Sequence, residues 1–180
     1  MEQFYKITVA GVERELPIIQ ISDHLAIASF VILGDAEIVS ASAAELAKQV
    51  PECDWIVTAE AKGIPFAHEL AKNLGMKNYI VARKSVKAYM EDPLKIAVNS
   101  ITTQKEQTLC LNRVDADRIR GKRVVLADDV ISTGESVEAL RALCEKAGAQ
   151  IVGKVCIVTE GVPGSHKDVL ALGNLPLFEL

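Results

Sequence analysis

The stretch 124-VVLADDVISTGES-136 decides the fold. Its first four residues, Val124 to Ala127, are apolar, rich in β-branching and bounded by turn chemistry, the pattern of a short strand buried on both faces. Two adjacent carboxylates, Asp128 and Asp129, stand at its carboxyl end. A turn of small, hydroxyl-bearing and glycine residues follows (Ser132, Thr133, Gly134, Ser136). A helical period then begins at Val137, Leu140, Leu143, Cys144 and Ala147. In an open α/β sheet, ligands bind just beyond the carboxyl ends of the strands. Main-chain N–H groups at a helix start, with hydroxyls beside them, suit a phosphate. Carboxylates alongside would repel that phosphate unless they had another task, such as accepting hydrogen bonds from vicinal sugar hydroxyls. The physical reading is a sugar phosphate, with its phosphate in the turn and its ribose diol on the acidic pair. An ordinary strand–turn–helix, with Asp and Ser as turn and cap residues, accounts for the same composition.

Outward from this stretch, strands and helices alternate. Trp55–Thr58 reads as a first buried strand, followed by a turn and a helix of roughly 64–74 that Gly75 ends. Tyr79–Ala82 reads as a second strand, and Ile151–Thr159 as another after the helix stop at Gly148. This spacing predicts an α/β fold with an open, mostly parallel twisted sheet and helices on both faces. The first ~35 residues do not fit that repeat, within boundary errors of a few positions. They predict a β-hairpin around Gly11, a short strand near Ile27–Leu33 and a helix capped by Asp35 that Pro51 stops. Segments Ile96–Thr102 and Thr108–Asn112 suggest the arms of a long hairpin. Pro163 and Gly164 suggest a short helix before a last strand, Leu175–Phe178.

A chain of 180 residues, 49% of them hydrophobic, fits one compact domain with a sizeable core. A net charge of −4 argues against a general nucleic-acid or membrane-surface binder. No apolar run approaches the ~20 residues needed to span a bilayer. The opening MEQFYKITVAG lacks the pattern of a signal peptide. Cys53, Cys110, Cys144 and Cys156 are scattered without metal-ligand spacing, three of them in apolar segments. Core thiols in a reducing, cytoplasmic setting are expected.

The thirteen residues 124–136 resemble the signature of type I phosphoribosyltransferases, which bind phosphoribosyl pyrophosphate (PRPP). That signature is four apolar residues, two acids, two apolar residues and a small-Thr-Gly-x-small loop, and all of it is present. The resemblance covers roughly residues 53–160. The turn Ala59-Glu60-Ala61-Lys62-Gly63, continuing as Ile64-Pro65-Phe66-Ala67, is similar to the pyrophosphate loop of purine members, where Glu-Ala-Arg-Gly or a close variant is usual and a non-proline cis peptide is frequent. Without the resemblance it is an ordinary strand–helix connection. Arg83, Lys84 and Lys87 match the Arg-Lys-x-x-Lys cluster that contacts pyrophosphate in adenine phosphoribosyltransferases. Bidentate Arg and mobile Lys suit so highly charged a group, although a solvated basic rim is the plain alternative.

The resemblance implies a purine phosphoribosyltransferase of purine salvage, working as a homodimer on PRPP and a purine base with release of pyrophosphate. Residues 1–35 and 161–180 would form a hood, and 88–107 a flexible lid that keeps water from the anomeric carbon. Ser132, Thr133, Gly134, Glu135 and Ser136 would hold the 5′-phosphate. Ala61, Lys62, Gly63, Arg83, Lys84 and Lys87 would hold pyrophosphate. Asp128 and Asp129 would orient the diol and assist Mg²⁺, directly or through water. Glu106 in the lid is a candidate for proton handling at the purine, with a solvated loop carboxylate as the alternative.

Base identity is where the chain departs from its resemblance. Xanthine enzymes put a Glu-Lys pair after the last long strand and an Asn in the flap. Here those places hold Glu160-Gly161 and Ile32 or a neighbour. A missing donor weakens discrimination for a 6-oxopurine. Adenine is therefore the expected base, with Ile27, Phe30 and Ile32 as purine contacts. Similarity to archaeal hypoxanthine/guanine enzymes keeps those bases open, and a PRPP-sensing regulator without catalysis is a further alternative.

Overall fold

The computed structural model describes residues 4–98 and 107–180. In chain order the elements are β1 (Phe4–Val9), β2 (Val12–Ser22), β3 (Leu25–Ala28), α1 (Ala36–Ala47), β4 (Trp55–Ala59), α2 (Gly63–Asn73), β5 (Ile80–Ala82), β6 (Leu94–Val98) and β7 (Gln107–Leu111). There follow α3 (Arg113–Ile119), β8 (Arg123–Ile131), α4 (Glu135–Lys146), β9 (Gln150–Glu160), β10 (Val169–Leu170), β11 (Gly173–Leu175) and β12 (Leu177–Glu179).

The main sheet runs β5-β4-β8-β9, with β10 and β11 one after the other along the far edge of β9, and every pairing in it is parallel. Alternate residues of its strands divide between two cores. Ile56, Val125 and Ile157 pack under α1 and α2 through Ile38, Leu46, Phe66 and Leu70. Val57, Val124, Leu126 and Cys156 pack under α3 and α4 through Ile119, Val137, Leu140 and Leu143. Burial on both faces explains the unbroken apolar runs of the central strands, and each fully buried Leu or Ile contributes about 1.5–3 kcal/mol.

A second, antiparallel sheet, β1-β2-β3-β12, forms an N-terminal hood. Its first hairpin turns through Ala10 and Gly11, at φ 49° and 79°, the two positive values that a tight two-residue turn requires. Arg14 on β2 ties the hood to the start of α1. Its guanidinium donates to both oxygens of Asp35, at 2.8 and 2.9 Å, and to Glu37 at 2.7 Å. Asp35 also caps α1 by accepting from the Ile38 N–H at 3.3 Å. The Arg14 hydrogen bonds hold the Asp35 carboxyl below its usual range.

Several sequence expectations change in the structure. The signature strand does not stop at Ala127 but continues through the acid pair to Ile131. Residues 113–119 form α3, a single short helix that buries only Ala116 and Ile119 and so left too little periodicity to read. The expected helix at Pro163 and Gly164 is a pair of turns, and the edge strand β10 follows. The expected strand Leu175–Phe178 is cut at Pro176. Leu175 ends β11 beside β9, whereas Leu177–Glu179 pairs with β3 in the hood. Proline lacks the N–H that would continue one ladder, and the chain uses the break to change sheets. Ile27 lies in β3, but residues 29–34 are not strand.

Cys110, Cys144 and Cys156 are buried and Cys53 is half-buried, all as free thiols. Burial pushes the Cys144 thiol up to about 12, as expected of an inert core residue. Among the described residues no helix is long and apolar enough to cross a membrane.

Candidate active site

The carboxyl ends of β4 and β8 are neighbours, and each delivers one loop. After β4 come Glu60, Ala61 and Lys62, then the N-terminus of α2, and the Glu60–Ala61 peptide is cis. After β8 come Ser132 and Thr133, with Gly134 as the N-cap of α4 at φ 86°. The N-cap residues Lys62 and Gly134 make no side-chain cap, and the Ile64 N–H in the first turn of α2 donates to the Ala61 carbonyl at 3.2 Å, which leaves other first-turn N–H groups to meet an anion. Thr133 Oγ1 accepts from the Glu135 N–H at 3.3 Å.

Two small cavities follow these loops. One, about 90 Å³, is lined by Asp128, Val130, Ile131, Ser132, Thr133, Gly134, Ser136 and Val137. The other, about 160 Å³, is lined by Ala59, Glu60, Ala61, Lys62, Lys84, Asp128, Asp129, Val130 and Ser136. Both have Asp128, Val130 and Ser136 in their walls, so Asp128 stands where they meet, with Asp129 in the wall of the larger. A wider cavity of about 440 Å³ lies between α1 and α2, with Ile32, Val39, Ile64, Pro65 and His68 in its wall. It touches neither the acid pair nor either loop.

Asp129 is 3% exposed. Its Oδ2 has no hydrogen bond, and the Lys62 ammonium stands 3.4 Å away, within ion-pair reach but too far for a good hydrogen bond. Asp128 is half-buried and accepts from the Asp129 N–H at 2.9 Å. Burial first, then the adjacent Asp129 carboxylate, pushes the Asp128 carboxyl up to about 7. Two acids so placed are short of positive partners. Gly63 explains how the β4 loop comes so close to them: a Cβ there would collide with Thr58 Oγ1 and lie 3.0 Å from Asp128 Oδ1.

The basic cluster divides among partners. Arg83 donates to Glu60 at 2.9 Å and to the Tyr89 hydroxyl at 2.8 Å. The Lys84 N–H also donates to Glu60, at 2.5 Å. Burial alone would raise the Glu60 carboxyl, but the Lys84 N–H and the Arg83 guanidinium hold it below its ordinary value. Lys87 Nζ donates to Ser85 Oγ at 2.7 Å. Lys84 alone of the three lines the acid-pair cavity, together with Lys62 and Ala61.

The structure thus gathers Ala61, Lys62, Lys84, Asp128, Asp129, Ser132, Thr133, Gly134 and Ser136 around the two cavities. Gly63 abuts them, and Glu135 lines neither. Ile27 is half-buried, and Phe30 and Ile32 are 6% and 1% exposed. None of the three lines these cavities. Glu106 lies outside the described residues, as does most of the expected lid tip. Two neighbours were not foreseen. Tyr89 holds Arg83, and His166 Nε2 lies 2.6 Å from the Ser132 carbonyl oxygen. The Tyr89 contact is made six residues along the chain, whereas the His166 contact is set by the return of distant chain, which no local spacing encodes.

Among the described residues no group of three or more His, Cys, Asp or Glu side chains could hold a metal. The acid pair with its unbonded Asp129 Oδ2 fits instead a cation that takes one or two carboxylates and completes its shell with phosphate oxygens and water, as Mg²⁺ does.

Residues 32–172 match the phosphoribosyl transferase domain family. The hypoxanthine/guanine phosphoribosyltransferase of Methanococcus voltae is 39% identical over 108 residues, which is 60% of this chain and 54% of that protein. The chain therefore spans about half the length of that relative. The adenine phosphoribosyltransferase of Petrotoga mobilis is 32% identical over 128 residues, 70% of each chain. The adenine phosphoribosyltransferase of Thermoanaerobacter pseudethanolicus shares the fold, with a TM-score of 0.66 at 23% identity over 96% of this chain and 95% of that one. With the family match extending from residue 32, just after β3, to residue 172, just past β10, and taking in both loops and the acid pair, the chain belongs to the phosphoribosyltransferase domain family.

Proposed function

We propose that the chain is a purine phosphoribosyltransferase that joins the phosphoribosyl group of PRPP to adenine, giving AMP and pyrophosphate. The observation that carries this reading is the meeting of two anion-sized cavities at one acid pair. In the smaller cavity, the N–H groups at the start of α4 and the hydroxyls of Ser132, Thr133 and Ser136 hold the 5′-phosphate. Asp128 and Asp129 accept hydrogen bonds from the 2′- and 3′-hydroxyls. Fixing phosphate and diol together fixes the anomeric carbon, which converts attack by a purine nitrogen into a positioned, in-line step. The second cavity receives pyrophosphate between the Ala61–Gly63 loop, Lys62 and Lys84, where positive charge stabilises the leaving group. Asp128 and Asp129 would hold a Mg²⁺ ion, directly or through water, and the ion would supply further charge neutralisation for the leaving group. Residues 88–107 would serve as the lid, and Glu106, outside the described residues, is the candidate for handling the purine proton, with a solvated loop carboxylate as the alternative.

Adenine is supported by the end of β9. Gly161, at φ 111°, offers no side-chain donor there. A 6-oxo group brought to that point would lose a hydrogen bond it makes in water. The likeness to the Methanococcus voltae protein favours a second reading, in which hypoxanthine or guanine is the acceptor. The test is product formation from PRPP, Mg²⁺ and adenine, hypoxanthine, guanine or xanthine in turn, read by mass spectrometry. AMP alone supports the proposal. IMP, GMP or XMP overturns the adenine reading and keeps the transfer. No nucleotide from any base, with PRPP still binding in calorimetry, overturns catalysis in favour of a PRPP sensor.

A further inference from the structure

Residues 161–168, between β9 and β10, return over the loop that follows β8. Their turn is closed by hydrogen bonds from Ser165 N–H to the Val162 carbonyl and from Val169 N–H to the His166 carbonyl, both 3.1 Å. The returning segment is held from two sides. Val169 and Leu170 pair with Lys154 and Val155 of β9. Lys154, whose side chain is 11% exposed, donates to Asp168 at 2.8 Å and to Glu138 of α4 at 2.5 Å. One ammonium group therefore binds the returning strap to the helix whose N-terminus is the candidate phosphate site. The result is a fixed place for His166, half-buried, with its Nε2 2.6 Å from the Ser132 carbonyl oxygen. Its Cε1 lies 3.7 Å from where a Cβ on Gly134 would be, so the ring also packs on the loop backbone.

A carbonyl oxygen can only accept, so the proton in this contact belongs to Nε2. The peptide unit is planar and trans, so holding the Ser132 carbonyl on the His166 side directs the Thr133 N–H to the opposite side. That matters at this loop. It contains a left-handed glycine whose missing side chain leaves the N-cap position of α4 without a cap, and a peptide flipped the other way would turn a carbonyl dipole towards an incoming phosphate. We propose that His166 is a positioning residue for the 5′-phosphate, holding the Ser132–Thr133 peptide from outside so that the loop presents N–H groups to its ligand. The proposal rests on the phosphoribosyltransferase reading of the site. His166 itself lines neither cavity.

Two variants separate its hydrogen bond from its packing. His166→Phe keeps a ring against Gly134 and removes the donor. His166→Gln removes the ring and keeps an N–H donor of similar reach. Steady-state kinetics with the accepted purine, calorimetry with ribose 5-phosphate and thermal unfolding are measured on both and on the unmodified protein. His166→Phe is expected to raise the KM for PRPP and weaken ribose 5-phosphate binding about five- to tenfold, the range of one net hydrogen bond. The KM for the purine and the unfolding temperature should stay within error, and His166→Gln should lie within about twofold of the unmodified protein. His166→Ala serves as the donor-free variant if the larger ring lowers the unfolding temperature. Equal binding by donor-free and unmodified proteins, or a Gln variant as weak as the donor-free one, overturns the assignment. If the unmodified protein binds neither PRPP nor ribose 5-phosphate, the functional reading falls instead.

Discussion

The loop at residues 132–136, the proposed phosphate site, and the basic cluster at residues 83–87 both follow parallel strands, and each sends at least one residue to the cavities at the acid pair. They differ in what they are made of. The first offers main-chain N–H groups and short hydroxyl side chains whose positions follow from local backbone geometry. The second offers long charged side chains, and their partners decide where each one goes. Arg83 is turned to Glu60 and Tyr89, Lys87 to Ser85, and only Lys84 reaches the cavity. A main-chain anion site can thus be located from a few consecutive residues, whereas a side-chain one is settled by tertiary contacts.

The acid pair belongs to both regions, so changing it should cost most. Asp129→Asn is expected to lower kcat/KM by about 10²–10³-fold, the scale of losing one preorganised electrostatic group, with the circular dichroism spectrum unchanged. A loss under tenfold would mean that neither cavity depends on the pair. Asp128 adds a pH signature. Its carboxyl is raised to about 7 in the folded protein from an ordinary value near 4, so the folded state holds more protons than the unfolded state across that interval. Stability in metal-free buffer should therefore be greatest towards pH 4, as far as this group is concerned, and fall as pH rises through 7. Asp128→Asn should flatten that part of the denaturant midpoint profile. An identical profile would remove Asp128 from the account.

Next comes the test of the comparison itself. Lys84→Ala should raise the KM for PRPP about 10- to 100-fold, as expected for a charge-assisted contact. Arg83→Ala should act chiefly on stability, by about 1 kcal/mol in urea denaturation, because its guanidinium is engaged with Glu60. If Arg83→Ala instead matched Lys84→Ala in KM, the ion pair would have to open when ligand binds. Gly134→Ala should cost about 1–2 kcal/mol through its left-handed backbone, equivalent to about 5- to 30-fold in PRPP affinity. The neighbouring His166 carbon, at 3.7 Å, leaves room for the added methyl, so the effect would report the backbone alone. Lys87→Ala, remote from the cavities, should change both stability and KM least, within about 0.5 kcal/mol.

The same contrast governs how much was legible in the sequence. The central strands could be read because burial on both faces writes an unbroken apolar run. Asp35, Gly75 and Gly148 marked helix ends because each does a local job there: Asp35 accepts from Ile38, and the two glycines sit at φ 72° and 89°. The loops at 60–63 and 132–136 were legible for the same reason. What could not be read was non-local. Helix α3 buries two side chains and shows no period, and nothing near Pro176 announces that the chain leaves one sheet for another. His166 carried no signal either, since its contact with Ser132 depends on the clamp around Lys154. Phe30 and Ile32 show the limit of reading apolar residues as ligand contacts. Both went into the core, while Val31 and Leu33 remain 55% and 51% exposed.

The passage through Pro176 also sets an order of assembly on the ribosome. Leu177 pairs with Ile27, so strand β3 is made long before the strand that covers its outer edge. During that interval the hairpin and β3 form a three-stranded sheet with one side of β3 unpaired, an open template for another chain. The main sheet can gather as β4, β5, β8 and β9 emerge in turn, but the hood waits for β12. Any delay in synthesis between Gly173 and Glu179 would therefore prolong the exposure of an edge that the finished protein keeps covered.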